Sequence, residues 1–230
     1  MDRALAGELR ARDRERWLSV LWAPAAARGA LVALHAFDLE QQRIIIDAGE
    51  PLLAEIRLAW WREQIDALAR GGVPPGQPIL RALAAEAAPR GVDLVLLTLM
   101  EEGFLPLLLG GSADTGAMAR ARGAPLFTAF AQAIAAQPLS AAEASAAALG
   151  GAIWAFGRLL RGPWGAAGAR LPGMELPPPP AEVPQPLPGP LRGLVRLALD
   201  DWAAAAAGRV LPPSATLGRQ WRFARASLGR

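Results

Sequence analysis

A chain of 230 residues fits one domain with enough volume to bury a substantial core. Hydrophobic residues make up 53% of it, which excludes a disordered chain, and the dominance of Ala and Leu over β-branched and aromatic residues favours helices over a β-sandwich or barrel. All 24 basic residues are Arg, yet the net charge is only +3 and no basic run is interleaved with aromatics, so nucleic acid is not an expected partner.

The helices are predicted in chain order from apolar spacing and from Pro and Gly punctuation. The first covers Arg3 to Leu21, with Leu5, Leu9, Trp17, Leu18 and Leu21 on one side. Pro24 opens the second, which runs to Asp47, and Pro51 opens the third, which ends at Gly71 and Gly72. After a tight turn from Gly71 to Pro78, a short helix spans Ile79 to Ala88 and a longer one Val92 to Leu109. Two long helices follow, Asp114 to Ala136 and Ser140 to Arg161. The stretch at about 162–190 holds four consecutive prolines, Pro177 to Pro180, among others, and reads as an extended connector. Helices resume from Leu191 to Gly208 and from Ser214 to Leu228. The expectation is a single domain over 1–230, all-α.

The absence of Cys excludes disulfides, thiolate metal sites and a Cys nucleophile. The chain opens MDRALAGELRARDRER, charged on both signs without an apolar stretch, and reads as no secretory signal. The longest uncharged run, Gly123 to Ala142, is broken by Pro138 and reads as a core helix pair rather than a membrane span. Arg219, Arg222, Arg225 and Arg230 near the end read as a solvated helix face, with contact to anionic lipid as the alternative. His35, the single histidine, reads as a packed residue rather than a general base. There is no Gly-rich phosphate loop, Ser/His/Asp set or metal-spaced His cluster.

Three segments carry a family resemblance: RDRERWLSVLWAPAAARGALVALHAFDLEQQRI, EPLLAEIRLAWWREQIDAL and QPILRAL. With Pro24, Arg28, Ala36, Phe37, Glu40, Arg57, Trp60, Trp61 and Arg62 at matching positions, the block from Asp13 to Ala84 resembles the squalene/phytoene synthase family. That resemblance implies an isoprenoid synthase-type helical bundle around a central cavity. It also implies two Asp-rich motifs that hold Mg²⁺ on prenyl diphosphates joined head to head. Aligning Phe37 puts Gln42, Arg43 and Ile46 where the first Asp set belongs. In the second, Trp154 to Trp164 contain no Asp, Glu or Asn, and Arg158 and Arg161 stand there instead; Gly168, Arg170, Leu171 and Pro172 resemble the motif's ending.

The expectation is therefore a catalytically degenerate member, closest to the branch that includes a respiratory complex I assembly factor. It has no catalytic residue, no metal ligand and no cofactor. Its pocket or head-group candidates are Arg28, Glu40, Arg57, Trp60 and Trp61, with one of the two indoles lining the cavity and the other packing between helices. For Arg28, Arg57 and Arg62 the plain alternative is ion pairing with Glu40, Glu55 and Glu63. The implied partners are an isoprenoid or lipid ligand, a respiratory-complex subunit or a paralogous synthase subunit. The expected location is cytoplasmic, with at most peripheral contact at the inner membrane. The alternative is an active head-to-head prenyltransferase with an altered metal site, for which Mg²⁺ is expected, or a supporting subunit of one.

Overall fold

Why the chain breaks where it does is visible at its first turn. Asp13 takes an extended conformation (φ −143°) and caps the next helix, its carboxylate accepting from the backbone N–H groups of Glu15 and Arg16. The one helix expected over Arg3 to Leu21 is therefore two, α1 (Arg3–Arg12) and α2 (Arg14–Trp22). The cap aims the Asp13 side chain inward, where it is buried.

The computed structural model describes residues 1–108, 114–162, 176–214 and 216–229. After α2, Pro24 leads into a single 3₁₀ turn, Ala25–Ala27, and α3 follows as Arg28–Ile46. Pro51 sits in the first turn of α4 (Pro51–Ala69), as predicted. The short helix of the next segment is α5 (Pro78–Ala82), continued by a π turn over Leu83–Ala87. The continuous helix expected over Val92 to Leu109 is instead α6 (Val95–Thr98) and two 3₁₀ pieces, Leu99–Gly103 and Leu105–Leu107. The 3₁₀ segment lies tight against α7: a Cβ on Gly103 would come within 2.8 Å of the Met118 carbonyl.

The centre of the bundle is built by α7 (Thr115–Ala135), α8 (Ala141–Arg161), α9 (Gly189–Ala206) and α3. α8 begins with a reciprocal cap between Ser140 and Glu143. Small residues set how closely these helices approach. A Cβ on Gly123 would fall 1.9 Å from the Gly151 carbonyl oxygen, and one on Gly151 would fall 1.9 Å from that of Gly123. Gly157 of α8 meets Ala198 of α9 in the same way, at 2.7 Å to its Cβ. α10 (Leu217–Ser227) packs onto α9 through Phe223 and Ser227, which lie over Gly193.

Residues 163–175 of the Pro-rich connector lie outside the described residues, as do Gly168, Arg170, Leu171 and Pro172. Residues 176–188 carry no helix or strand and are tied to α9: Trp202 Nε1 donates to the Pro177 carbonyl at 2.8 Å and Arg192 Nη1 to that of Leu187 at 2.8 Å. No strand occurs among the described residues, and no helix there is long and apolar enough to cross a membrane.

Candidate functional site: a buried arginine and carboxylate cluster

The most unusual feature of the interior is charge. Asp38 on α3 is fully buried, and both of its oxygens are engaged by Arg122 of α7, Nε to Oδ1 at 2.7 Å and Nη2 to Oδ2 at 2.8 Å. Arg16 of α2 approaches from the other side, its Nη1 2.7 Å from Asp38 Oδ2, a charge contact without good hydrogen-bond alignment. Arg16 also donates from Nε to Asp13 Oδ2 at 3.1 Å, and Arg158 of α8 reaches the same oxygen at 2.8 Å. The Gln42 carboxamide sits beside both guanidiniums; with its oxygen toward Arg122 it accepts from Nη2 at 2.7 Å. Trp154 supplies an aromatic surface to both cations, 4.9 Å from Arg16 and 5.4 Å from Arg122.

These neighbours set the protonation states. Burial pushes the Asp13 carboxyl up, but the charges of Arg158 and Arg16 outweigh it and leave it at about 2. Burial opposes ionisation of Asp38 too, yet the charges and hydrogen bonds of Arg122 and Arg16 hold it well below the usual carboxylate range. His35, one helical turn before Leu39 on α3, is driven the other way. Burial, together with the charge of Arg16, lowers it to about 3, so it is neutral. Its Nε2 is 2.9 Å from Ser19 Oγ, which itself donates to the Arg16 carbonyl at 2.7 Å. With the hydroxyl proton so placed, Nε2 carries the imidazole proton, and the bare Nδ1 has no partner. The ring lies 4.4 Å from Phe130 and is wholly buried. The packed role expected for His35 is the one it has.

A second ionic cluster adjoins the first. Arg219 of α10 donates to both carboxylates of Glu15 and Asp201, with Nη1 2.6 Å from Asp201 Oδ1, and Arg161 closes on Asp201 from α8. Burial opposes the Arg219 charge, but hydrogen bonds to Glu15 and Asp201 raise its pKa further above the ordinary arginine value. A cavity of about 10 Å³ lies between the two clusters, lined by Glu15, Arg16, Arg158, Arg161 and Asp201 among others, room for one water at most. Four acids, Asp13, Glu15, Asp38 and Asp201, thus face five arginines, Arg16, Arg122, Arg158, Arg161 and Arg219.

The five residues proposed from sequence do not come together. Arg28 is spent on its own chain, donating to the carbonyls of Ala23 and Leu21 at 3.1 and 2.9 Å, which fastens the turn before α3. Glu40 lies twelve residues further along α3, about 18 Å of helical rise away. It binds Arg43 through two 2.8 Å bonds and borders a cavity of about 40 Å³ with Glu8 and Arg12. Arg57 is exposed, and Arg62 pairs with Glu101 at 3.0 Å. Trp61 packs inward, edge-on to Phe37 at 5.7 Å. Trp60 is 40% exposed beside Leu52, Leu53 and Ile56 on the outer face of α4, so neither indole enters the charged cluster.

Sequence reasoning named Arg158 and Arg161 but missed Arg16 and Arg122, and it placed Arg219 on a solvated helix face, whereas Arg219 is buried between Glu15 and Asp201. A signal existed. Arg122 occupies the stripe Met118–Arg122–Leu126, Arg16 precedes Val20, and Arg219 precedes Phe223, each four residues from a buried apolar neighbour. A charge at such a position is either buried with a partner or a misread face.

Comparison with known proteins agrees with the early part of this picture. Residues 9–106 match the family model described as squalene/phytoene synthase. Over 78 residues the chain is 33% identical to NADH dehydrogenase (ubiquinone) complex I, assembly factor 6 of Bos taurus, a stretch that is 34% of this chain and 23% of that protein. The chain thus spans under a quarter of that relative's length. No solved structure matches. The all-α architecture of the described residues is consistent with the isoprenoid synthase-type bundle that the resemblance of residues 9–106 to squalene/phytoene synthases implies.

Proposed function

We propose that this protein is a non-catalytic member of the squalene/phytoene synthase-like group, with a role in respiratory complex I assembly. One observation carries the first half. At the position where the resemblance places a metal-binding carboxylate, Gln42 is buried between Arg16 and Arg122, and the nearby Asp38 has both oxygens taken by those guanidiniums. Mg²⁺ takes several hard oxygen ligands at about 2.0–2.1 Å and retains waters. One neutral amide oxygen among fixed cations does not fit it. Of the other two aligned residues, Arg43 is bound to Glu40 on the outside and Ile46 is exposed. Among the described residues no group of three or more His, Asp or Glu is arranged to hold a metal. The described part of the second region, Trp154 to Arg161, contributes Arg158 and Arg161 to ion pairs instead of carboxylates to a metal.

The second half is supported by the likeness to the Bos taurus assembly factor. An ion-paired interior suits a scaffold whose work is done on its outside. Two measurements test the reading. Purified protein with farnesyl diphosphate and Mg²⁺ gives no squalene-type or phytoene-type product, and deletion of the gene in its host lowers assembled complex I without changing isoprenoid products. Product formation overturns the non-catalytic reading. Unchanged complex I in the deletion strain overturns the assembly role.

A further inference from the structure

The outer face of α10 has a pattern that the buried clusters do not explain. At 100° per residue, Arg219, Phe223 and Ser227 fall on one side and are buried against the body. The opposite side presents Leu217, Trp221 and Leu228 within about 40° of one another, and these are 84%, 66% and 60% exposed. Beside that ridge lie Arg225 and then Arg222, both exposed, and α10 contains no acidic residue. Arg222 reaches Asp200 only at 3.4 Å, and Asp200 is also held by Arg196 at 3.0 Å. Two exposed cations, Arg196 and Arg222, thus share one largely covered carboxylate, and Arg225 adds a third exposed charge beside the ridge.

We infer that the outer face of α10 docks the protein on an anionic lipid surface, with Trp221, Leu217 and Leu228 entering the headgroup region and Arg222 and Arg225 on the lipid phosphates. Trp favours the membrane–water boundary, and a helix with an apolar ridge flanked by Arg is the form that lies in that plane. A protein partner fits less well. Eleven residues make a helix about 16 Å long and about 10 Å wide, a face of about 160 Å², well short of the roughly 800 Å² that one side of a stable protein interface covers. The inference is independent of whether catalysis remains.

The test is co-sedimentation of the full chain with vesicles of phosphatidylcholine alone and of equal parts phosphatidylcholine and phosphatidylglycerol. The protein is expected to pellet with the anionic vesicles only, and less so as salt rises. Each cation near such a surface is worth about fivefold in partitioning, so the double variant Arg222→Gln/Arg225→Gln should bind about 25-fold more weakly. Trp221→Ala should also lose binding. The double variant Arg10→Gln/Arg14→Gln, with the same loss of charge at exposed sites on α1 and α2, should bind as the parent does. All these positions are exposed, so thermal melts of the variants should overlay the parent's. Failure to pellet with anionic vesicles, equal loss in the α1 and α2 control, or binding of duplex DNA in place of vesicles would overturn the inference.

Discussion

Asp38 and Arg122, 84 residues apart in the chain, meet through two parallel bonds of 2.7 and 2.8 Å in the middle of the bundle. The pair ties α3 to α7, and Arg16 brings α2 to the same carboxylate. Removing one partner of a buried ion pair leaves the other charge without compensation, which costs about 3–5 kcal/mol. Asp38→Asn should therefore lose stability of that order in urea denaturation at neutral pH. The double variant Asp38→Leu/Arg122→Met should lose much less than the sum of its single variants, because it removes both charges together.

The buried imidazole predicts an acid sensitivity that begins unusually high. His35 titrates at about 3 in the folded protein against 6.5 as its ordinary value. Between those limits the unfolded chain binds a proton that the folded protein does not. The stability this withholds is fully present above pH 6.5 and lost progressively as pH falls toward 3. The slope through the middle of that range is about 1.4 kcal/mol per pH unit. Asp13, lowered from 3.8 to about 2, adds a second loss only as pH falls below about 4. Denaturation midpoints from pH 7 to pH 4 should fall steadily in the parent. His35→Gln should flatten that interval, and a parent curve that is flat down to pH 4 contradicts the buried neutral state.

Two glycine substitutions should have opposite signs. Gly123→Ala forces a methyl group to 1.9 Å from the Gly151 carbonyl, so α7 and α8 must separate. Overpacking of this kind costs about 1–3 kcal/mol. Gly7, exposed in the middle of α1, has open space where a Cβ would go. There Ala relieves the helix of glycine's backbone freedom and should stabilise by about 0.5–1 kcal/mol. Thermal midpoints of the two variants should lie on either side of the parent's.

Arg219 is the link by which the last helix is held, through Glu15 of α2 and Asp201 of α9. Arg219→Ala should leave Asp201 with Arg161 and remove the buried salt bridge of Glu15. The expected result is local release of α10. Hydrogen exchange should accelerate at residues 217–227 while α3 keeps its protection. Uniform acceleration through α3 would show that α10 is not a separable unit.

Much of the fold is legible along the chain because it depends on local chemistry. Pro51, the Ser140–Glu143 cap and the Gly71–Gly72 stop are written within a turn or two of where they act. The two helix errors have different origins. Asp13 looked like one more charge in a charged helix, yet its carboxylate caps α2 and neutralises Arg16 and Arg158. The region after Val92 has helical spacing, but close packing against Met118 and Arg122 around Gly103 accompanies its 3₁₀ turns.

The resemblance to squalene/phytoene synthases was also legible, since it rests on residue identity and spacing. So was the substitution of Gln42, Arg43 and Ile46, because it requires only an alignment. What occupies the interior was decided by tertiary structure alone. An arginine is costly to bury unless an acid meets it, and no local pattern says that Asp38 will meet Arg122, or Glu15 Arg219 from 204 positions away. Those encounters depend on how closely α7, α8 and α9 pack over their glycines. The same packing turned Trp60 and Arg57 outward and left Arg28 holding its own backbone.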